Sequence, residues 1–394
     1  MSSRIKILLG FLLSTSLIIG QDLPGNQKLQ VIDISSGYNT NKTLKLSDIA
    51  QSVEYIPLET KPDALISKVS QVALSNDHLF VLDEKVNKLF VFGRNGRYIT
   101  TVGRFGKGPG EFQRLYHFEV NPDLNIIYLF DLGSHKILKY DYDGSYLGHT
   151  KQPLLGFWVS MINNKYFVYF YPDRSIKITK GFYKAIVTDL EGNIISKISE
   201  QPISKELKFK SPCSMQSSVF KLNNKAYYWE VTSDTIFFLS DDFKLIPSAV
   251  VNQGPNTFPK DKMYDGSFVI KKFSEYSTII WMLQTNELLF GQGITRFRLA
   301  SILYNKKTQA CYNVANNMKL IENDFDYGPG FWPLGKFDDN TLYTSIDVID
   351  IRDKLYHQDI KEGLRAKSRL TNLIRNKKEL DNPIIMIVKL KDEK

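Results

Sequence analysis

HLFVLDEKVNKLFVFGRNGRYITTVG, residues 78–103, and IIYLFDLGSHKILKYDYDGSYLGH, residues 126–149, share one layout. Each reads as an apolar strand, a short polar loop, a second strand, a turn carrying Asn-Gly or Asp-Gly, and a third strand. The turn glycines Gly96 and Gly144 stand 48 residues apart, and Gly192 in KAIVTDLEGNIISKI follows after the same interval. Asn, Asp and Gly accept the positive φ of a tight turn, so these units are antiparallel hairpins. VSQVALS (69–75) and YHFEV (116–120) place one more short strand before each unit. Four antiparallel strands recurring every 45–50 residues or so predict propeller blades.

The pattern continues through FKLNNKAYYWEVTSDTIFFLSDDFKLI (220–246), then TIIWMLQTNELLFGQG with FRLASILYNKKTQACYNV. It ends with FWPLGKFDDNTLYTSIDVID and PIIMIVKLK. The last unit holds three strands. SVEYIPLE (52–59) is an isolated strand that supplies the fourth by pairing beside residues 384–391, which closes the ring and removes its edges. The expected fold is all-β: a six-bladed propeller of four-stranded antiparallel blades. It spans 52–394 as one body, preceded by an N-terminal extension over 21–51.

Residues 351–380 interrupt the last blade with nine Lys or Arg against four Asp or Glu. Ile360, Leu364, Leu370, Leu373 and Ile374 recur at helical spacing, so a helical insertion is expected there, ended by Asn382 and Pro383. The first 20 residues place Arg4 and Lys6 before ILLGFLLSTSLII, the pattern of a secretory signal peptide. Removing them takes the formal charge from +9 to +7. The expected location is extracytoplasmic, periplasmic or secreted, with no stable transmembrane segment after cleavage. Cys213 and Cys311 lie far apart in the chain and read as two separate cysteines.

GRFGKGPGEF (103–112) and DLGSHKILKYDYDG (131–144) resemble NHL-type propeller repeats. With LSDIAQSVEYIPLET (46–60) and NPIIMIVKLK (382–391), the chain resembles the six-bladed propellers exported by Bacteroidetes. The resemblance implies the fold and an exported setting, and no chemistry. Many such relatives carry a lipoprotein Cys after the signal segment; here none follows the apolar run.

In a blade, the loop between strands two and three shares a face with the links between blades. That face should receive Asp83, Glu84, Lys85 and Asn87, then Arg104, Lys107, Glu111 and Arg114 from the first link. It should also receive Asp131, Ser134, His135, Lys136, Glu230, Ser233 and Asp234. The ligand-binding candidates are Arg104, Lys107, Arg114, Asp131, His135, Trp158, Glu230, Asp234 and Trp332. Asp83, Asp131 and Glu230 also fit strand-end acids that accept loop N–H groups. Trp158 and Trp332 fit either core packing or stacking on a sugar or peptide in the central funnel.

GRFGKGPG lacks the ending of a Walker loop and opens no βαβ unit. There is no HExxH pair, complete calcium loop or GxSxG elbow. No cofactor is expected, although a divalent metal assembled from several blades is invisible to linear spacing. Nucleic-acid binding lacks a motif. The reading is an exported, noncatalytic protein that binds a peptide, protein or glycan. Its rivals are a funnel-site lyase or hydrolase and a structural subunit of an envelope complex that docks through 351–380.

Overall fold

The computed structural model describes residues 29–75, 77–153, 158–171, 183–199, 217–314, 320–357 and 364–391. The chain enters through β1 (Gln30–Asp33), a short α1 (Leu46–Ile49) and β2 (Ala50–Pro57). Blade 1 is then β3 (Gln71–Ser75), β4 (His78–Asp83), β5 (Lys88–Gly93) and β6 (Tyr98–Val102). A small parallel ribbon, β7 (Arg104–Phe105) with β8 (Glu111–Phe112), leads to blade 2. That blade comprises β9 (Leu115–Asn121), β10 (Ile126–Asp131), β11 (Lys136–Asp141) and β12 (Tyr146–Lys151).

Blade 3 is β13 (Trp158–Ile162), β14 (Tyr166–Phe170), β15 (Tyr183–Asp189) and β16 (Ile194–Ser199). Blade 4 is β17 (Ser217–Leu222), β18 (Lys225–Glu230), β19 (Thr235–Leu239) and β20 (Leu245–Asn252). After α2 (Gly266–Lys272) comes blade 5: β21 (Ser277–Gln284), β22 (Leu288–Thr295), β23 (Arg298–Asn305) and β24 (Cys311–Asn313). Blade 6 holds β25 (Gly335–Lys336), β26 (Thr341–Ile346), the helices α3 (Val348–His357) and α4 (Leu364–Ile374), and β27 (Ile384–Leu390).

The ring closes as expected. β2 pairs antiparallel with β27, with Val53 opposite Val388 and Tyr55 opposite Met386, and becomes the outer strand of blade 6. Closure starts at Ala50, two residues before the expected strand. One strand escaped the sequence reading: β1 pairs parallel with β20 and gives blade 4 a fifth strand. The proposed signal segment and Cys213 lie outside the described residues; Cys311 is a buried free thiol.

Strand alternation explains the packing. In β4, Phe80 and Leu82 turn toward blade 2, while Leu79 and Val81 turn toward blade 6. In β10, Ile127 and Leu129 face blade 1, and Tyr128 and Phe130 face blade 3. In β14, Phe167 and Tyr169 face blade 2, and Val168 and Phe170 face blade 4. Each such strand is covered on both sides, hence the continuous apolar runs. A buried Phe contributes about 1.5–3 kcal/mol, so the aromatic-rich composition is the packing between blades.

The tight hairpins use asparagine where the turn demands positive φ: Asn163 (51°) with Asn164 (52°), and Asn223 (49°) with Asn224 (58°). These turns lie on one end of the ring. The described links between blades leave from the other end, together with α2, α3 and α4. The basic insertion is anchored there as two helices, through buried Val348, Ile351, Leu370 and Ile374. Some of its charge points inward: Arg369 Nη2 donates to Val53 O at 2.8 Å and Lys377 Nζ to Leu58 O at 2.7 Å. Asn382 completes this junction, accepting from Ile66 N (2.8 Å) and donating to Glu59 O (2.8 Å).

Candidate functional site

The acids that end second strands show how the link face is held. Asp131 is fully buried, and its carboxylate accepts from Gln113 N (3.0 Å), Arg114 N (2.7 Å), Gly133 N (3.0 Å) and Ser134 Oγ (2.5 Å). Asp83 does the same in blade 1 for Ser67 N, Lys68 N, Lys85 N and Val86 N. Each ties its own loop to the preceding link. Asp131 thus has no free oxygen for a ligand; its role is to fix Arg114. Asp131→Ala strands those donors and should cost about 3 kcal/mol, read as a lower urea midpoint.

Glu230 breaks the pattern. One methylene longer than Asp131, it reaches into blade 3, where Lys184 Nζ lies 2.5 Å from Oε1; Tyr228 Oη donates to Oε2 at 2.7 Å. Both ends of this ion pair are buried, so its function is to join blades. Asp234 is bonded to Lys260 of the next link. Trp332 is buried against Phe290, with ring centroids 5.4 Å apart, and Trp158 packs at the blade 3–4 seam. His135 sits exposed in a left-handed turn (φ 57°), with its carbonyl accepting from Gln152 N.

Besides His135, three candidates are open to solvent: Arg104, Lys107 and Arg114. Arg104 Nε pairs with Glu111 Oε1 at 2.7 Å across the ribbon, and Gly108 N donates to Glu111 Oε2 at 2.8 Å. This Glu111 clasp presents Phe105, 74% exposed, between Arg104 and Lys107. The ribbon is a basic finger with an aromatic tip.

Inside the ring, the first strands of successive blades lie side by side and line the axis. They carry a cluster that the sequence reading missed. Glu119 of blade 2 accepts from Lys221 Nζ of blade 4 at 3.1 Å, across the axis, and from Met161 N of blade 3 at 2.9 Å. His117 Nε2 stands 3.4 Å from Glu119 Oε1, the oxygen that also accepts from Met161 N, while Lys221 takes Oε2. Burial pushes the Glu119 carboxyl up, but Lys221, His117 and the Met161 N–H outweigh it and hold it at about 2. Toward the link face, burial raises the Glu84 carboxyl, opposed by neighbouring His117, Lys68 and Arg114. Toward the hairpin face, Asp339 accepts from Lys336 Nζ (2.6 Å) and Asn223 N (2.7 Å). Burial, with Lys336 nearby, lowers Lys306 to about 8.

Groups of alternating charge therefore follow the axis from Glu84 and Arg114 at the link face to Lys336 and Asp339 at the hairpin face. The family model described as Domain of unknown function (DUF4934) matches residues 29–389. The chain belongs to this family. A DUF4934 match over that range takes in β1 as well as the ring, so the added strand is part of the family unit.

Among solved structures, the chain is similar to a Bacteroides fragilis NCTC 9343 protein described as exported. The identity is 19%, covering 92% of this chain and 100% of the other, with a TM-score of 0.71. It is also similar to a DUF4221-family member from Bacteroides vulgatus, at 12% identity, 87% and 98% coverage and a TM-score of 0.50. These likenesses carry the fold. No curated protein matches. Among the described residues, no three His, Cys, Asp or Glu side chains gather as metal ligands, and no helix is long and apolar enough to cross a membrane.

Proposed function

We propose that this DUF4934 propeller is an exported, noncatalytic recognition protein whose link face binds a peptide, protein or glycan. The observation that carries this reading is the division of its polar groups. The acids inside the face are committed to backbone donors or cross-blade lysines, whereas Arg104, Phe105, Lys107 and Arg114 stand outside on a ribbon and link held in place by those acids. Guanidinium and ammonium groups beside an aromatic tip suit carboxylate-bearing or hydroxyl-rich ligands, through charged hydrogen bonds and ring stacking.

The test is capture from a cell-envelope extract by the purified chain and by Arg104→Ala/Lys107→Ala. The double variant should retain the wild-type melting temperature, since both side chains are exposed, yet hold at least tenfold less of the captured species. Equal capture by both proteins would refute the assignment of the face.

One observation favours the lyase or hydrolase alternative: His117 and Glu119 place an imidazole ring beside a fixed carboxylate near the axis. That reading requires turnover of a captured ligand, lost in His117→Asn at an unchanged melting temperature.

A further inference from the structure

The turn joining β22 to β23 has the wrong residues for its shape. Arg296 (φ 45°) and Phe297 (φ 67°) are consecutive left-handed residues in a two-residue hairpin, a position where Asn-Gly is the easy choice. A bulky residue held there is strained by about 1–3 kcal/mol, and such strain persists only when surrounding contacts impose it. Here Arg296 N donates to Tyr276 O (3.3 Å) and Phe297 N to Ser274 O (2.7 Å). The strained turn holds Phe297 out in solvent at 73% exposure.

Ser274 lies one helical turn beyond Ile270, which is 87% exposed on α2, and Leu299 beside the turn is 68% exposed. The segment beneath them is well anchored. Phe268, Phe273 and Tyr276 all pack around buried Phe258, so Ile270 is not exposed for want of a core. The rim is basic: Lys271 and Lys272 follow Ile270, Arg296 and Arg298 flank Phe297, and residues 294–300 contain no acid. Lys272 is partly offset by Glu275 at 2.8 Å.

Backbone bonds from the turn to Ser274 and Tyr276 thus bring exposed Phe297 and Leu299 to the segment that carries exposed Ile270, with basic residues beside each. We infer that the patch of Ile270, Phe297 and Leu299 docks the ring on an anionic lipid surface. The apolar side chains enter the interfacial layer, and Arg296, Arg298 and Lys271 meet the phosphates. A lipid interface takes such a patch without a shaped pocket, and its negative charge complements the basic residues. The patch belongs to blade 5 and the link before it. In ring order this is opposite the Arg104–Lys107 ribbon between blades 1 and 2, on the same end of the ring, so substitutions at one site leave the residues of the other in place.

The test is flotation of the full chain without residues 1–20 on vesicles of pure phosphatidylcholine and of phosphatidylcholine with about 30% phosphatidylglycerol, whose negative surface potential attracts Lys and Arg. The chain should float with the anionic vesicles, float less as salt rises, and stay behind with the neutral ones. Phe297→Ser/Ile270→Ser should reduce partitioning about tenfold, at unchanged far-ultraviolet circular dichroism. As a second readout, the tryptophan of Phe297→Trp should shift its emission to the blue on anionic vesicles only. Failure of the wild type to float, binding unaffected by Phe297→Ser/Ile270→Ser, or an unshifted Phe297→Trp emission would each overturn the inference. Capture of a protein partner by this patch in the absence of vesicle binding would overturn it too.

Discussion

Gly96→Val should destabilise the ring by about 3 kcal/mol or more and lower its melting temperature by roughly 5 °C or more. Gly96 occupies the third turn of blade 1 at φ 80°, which a β-branched residue resists. A Cβ there would also lie 2.2 Å from Pro57 O, at the end of the closing strand β2. The contact is with backbone, so no side chain can swing aside. The turn is part of the closure itself, because Glu59 N donates to Gly96 O at 2.8 Å. Gly148→Ala is the control. Gly148 also has positive φ (133°), but a Cβ there meets nothing within 4 Å, so only the backbone strain of about 1–3 kcal/mol should appear, without the clash. If the two variants melt alike, the seam between β2 and blade 1 does not limit stability.

Glu119→Gln should cost 2–4 kcal/mol or so and remove part of the acid sensitivity of the fold. The amide can still accept from Met161 N, but Lys221 then loses its carboxylate partner across the axis. The pH dependence has a definite sign. The folded carboxyl titrates at about 2, below its ordinary 4.5. Its stabilisation is therefore complete above pH 4.5 and lost as pH falls toward 2, an amount of order 3 kcal/mol. Urea midpoints measured at pH 6 and pH 3 should converge more closely for Glu119→Gln than for wild type. Parallel pH profiles for the two proteins would mean that Glu119 does not link blades 2 and 4 as described.

The architecture was legible because it repeats. The glycine interval, the Asn-Gly and Asp-Gly turns and the apolar strands state the blade again and again, and SVEYIPLE has no partner except the end of the chain. Gln30–Asp33 escaped because four residues before the first blade, outside the repeat, offer too little alternation to read. α2 was missed although Asp265 announces it, accepting from Ser267 N and Phe268 N as an N-cap.

The interior cluster was hidden for a different reason. His117 and Glu119 alternate on one strand and look like an ordinary solvated face, while Lys221 is 102 residues away. The available signal was charge on the first strand of a blade, where the neighbouring blades bring partners close. EVTSDTI looked like DLGSHKI, but the extra methylene of Glu230 sends its carboxylate to Lys184 rather than to the loop. Similar spacing did not mean the same hydrogen bonds. Arg104 and Lys107 were legible as exposed basic residues; the Glu111 clasp that aims them with Phe105 was visible only in three dimensions.

Hydrogen exchange on the purified chain, with and without the species it captures from envelope extract, tests the recognition account most directly. Ligand-dependent protection is expected in peptides covering 103–115 and 84–87 on the link face, with the hairpins at 94–97, 142–145 and 223–224 unchanged. Protection centred on those hairpins, with none at 103–115, would contradict it.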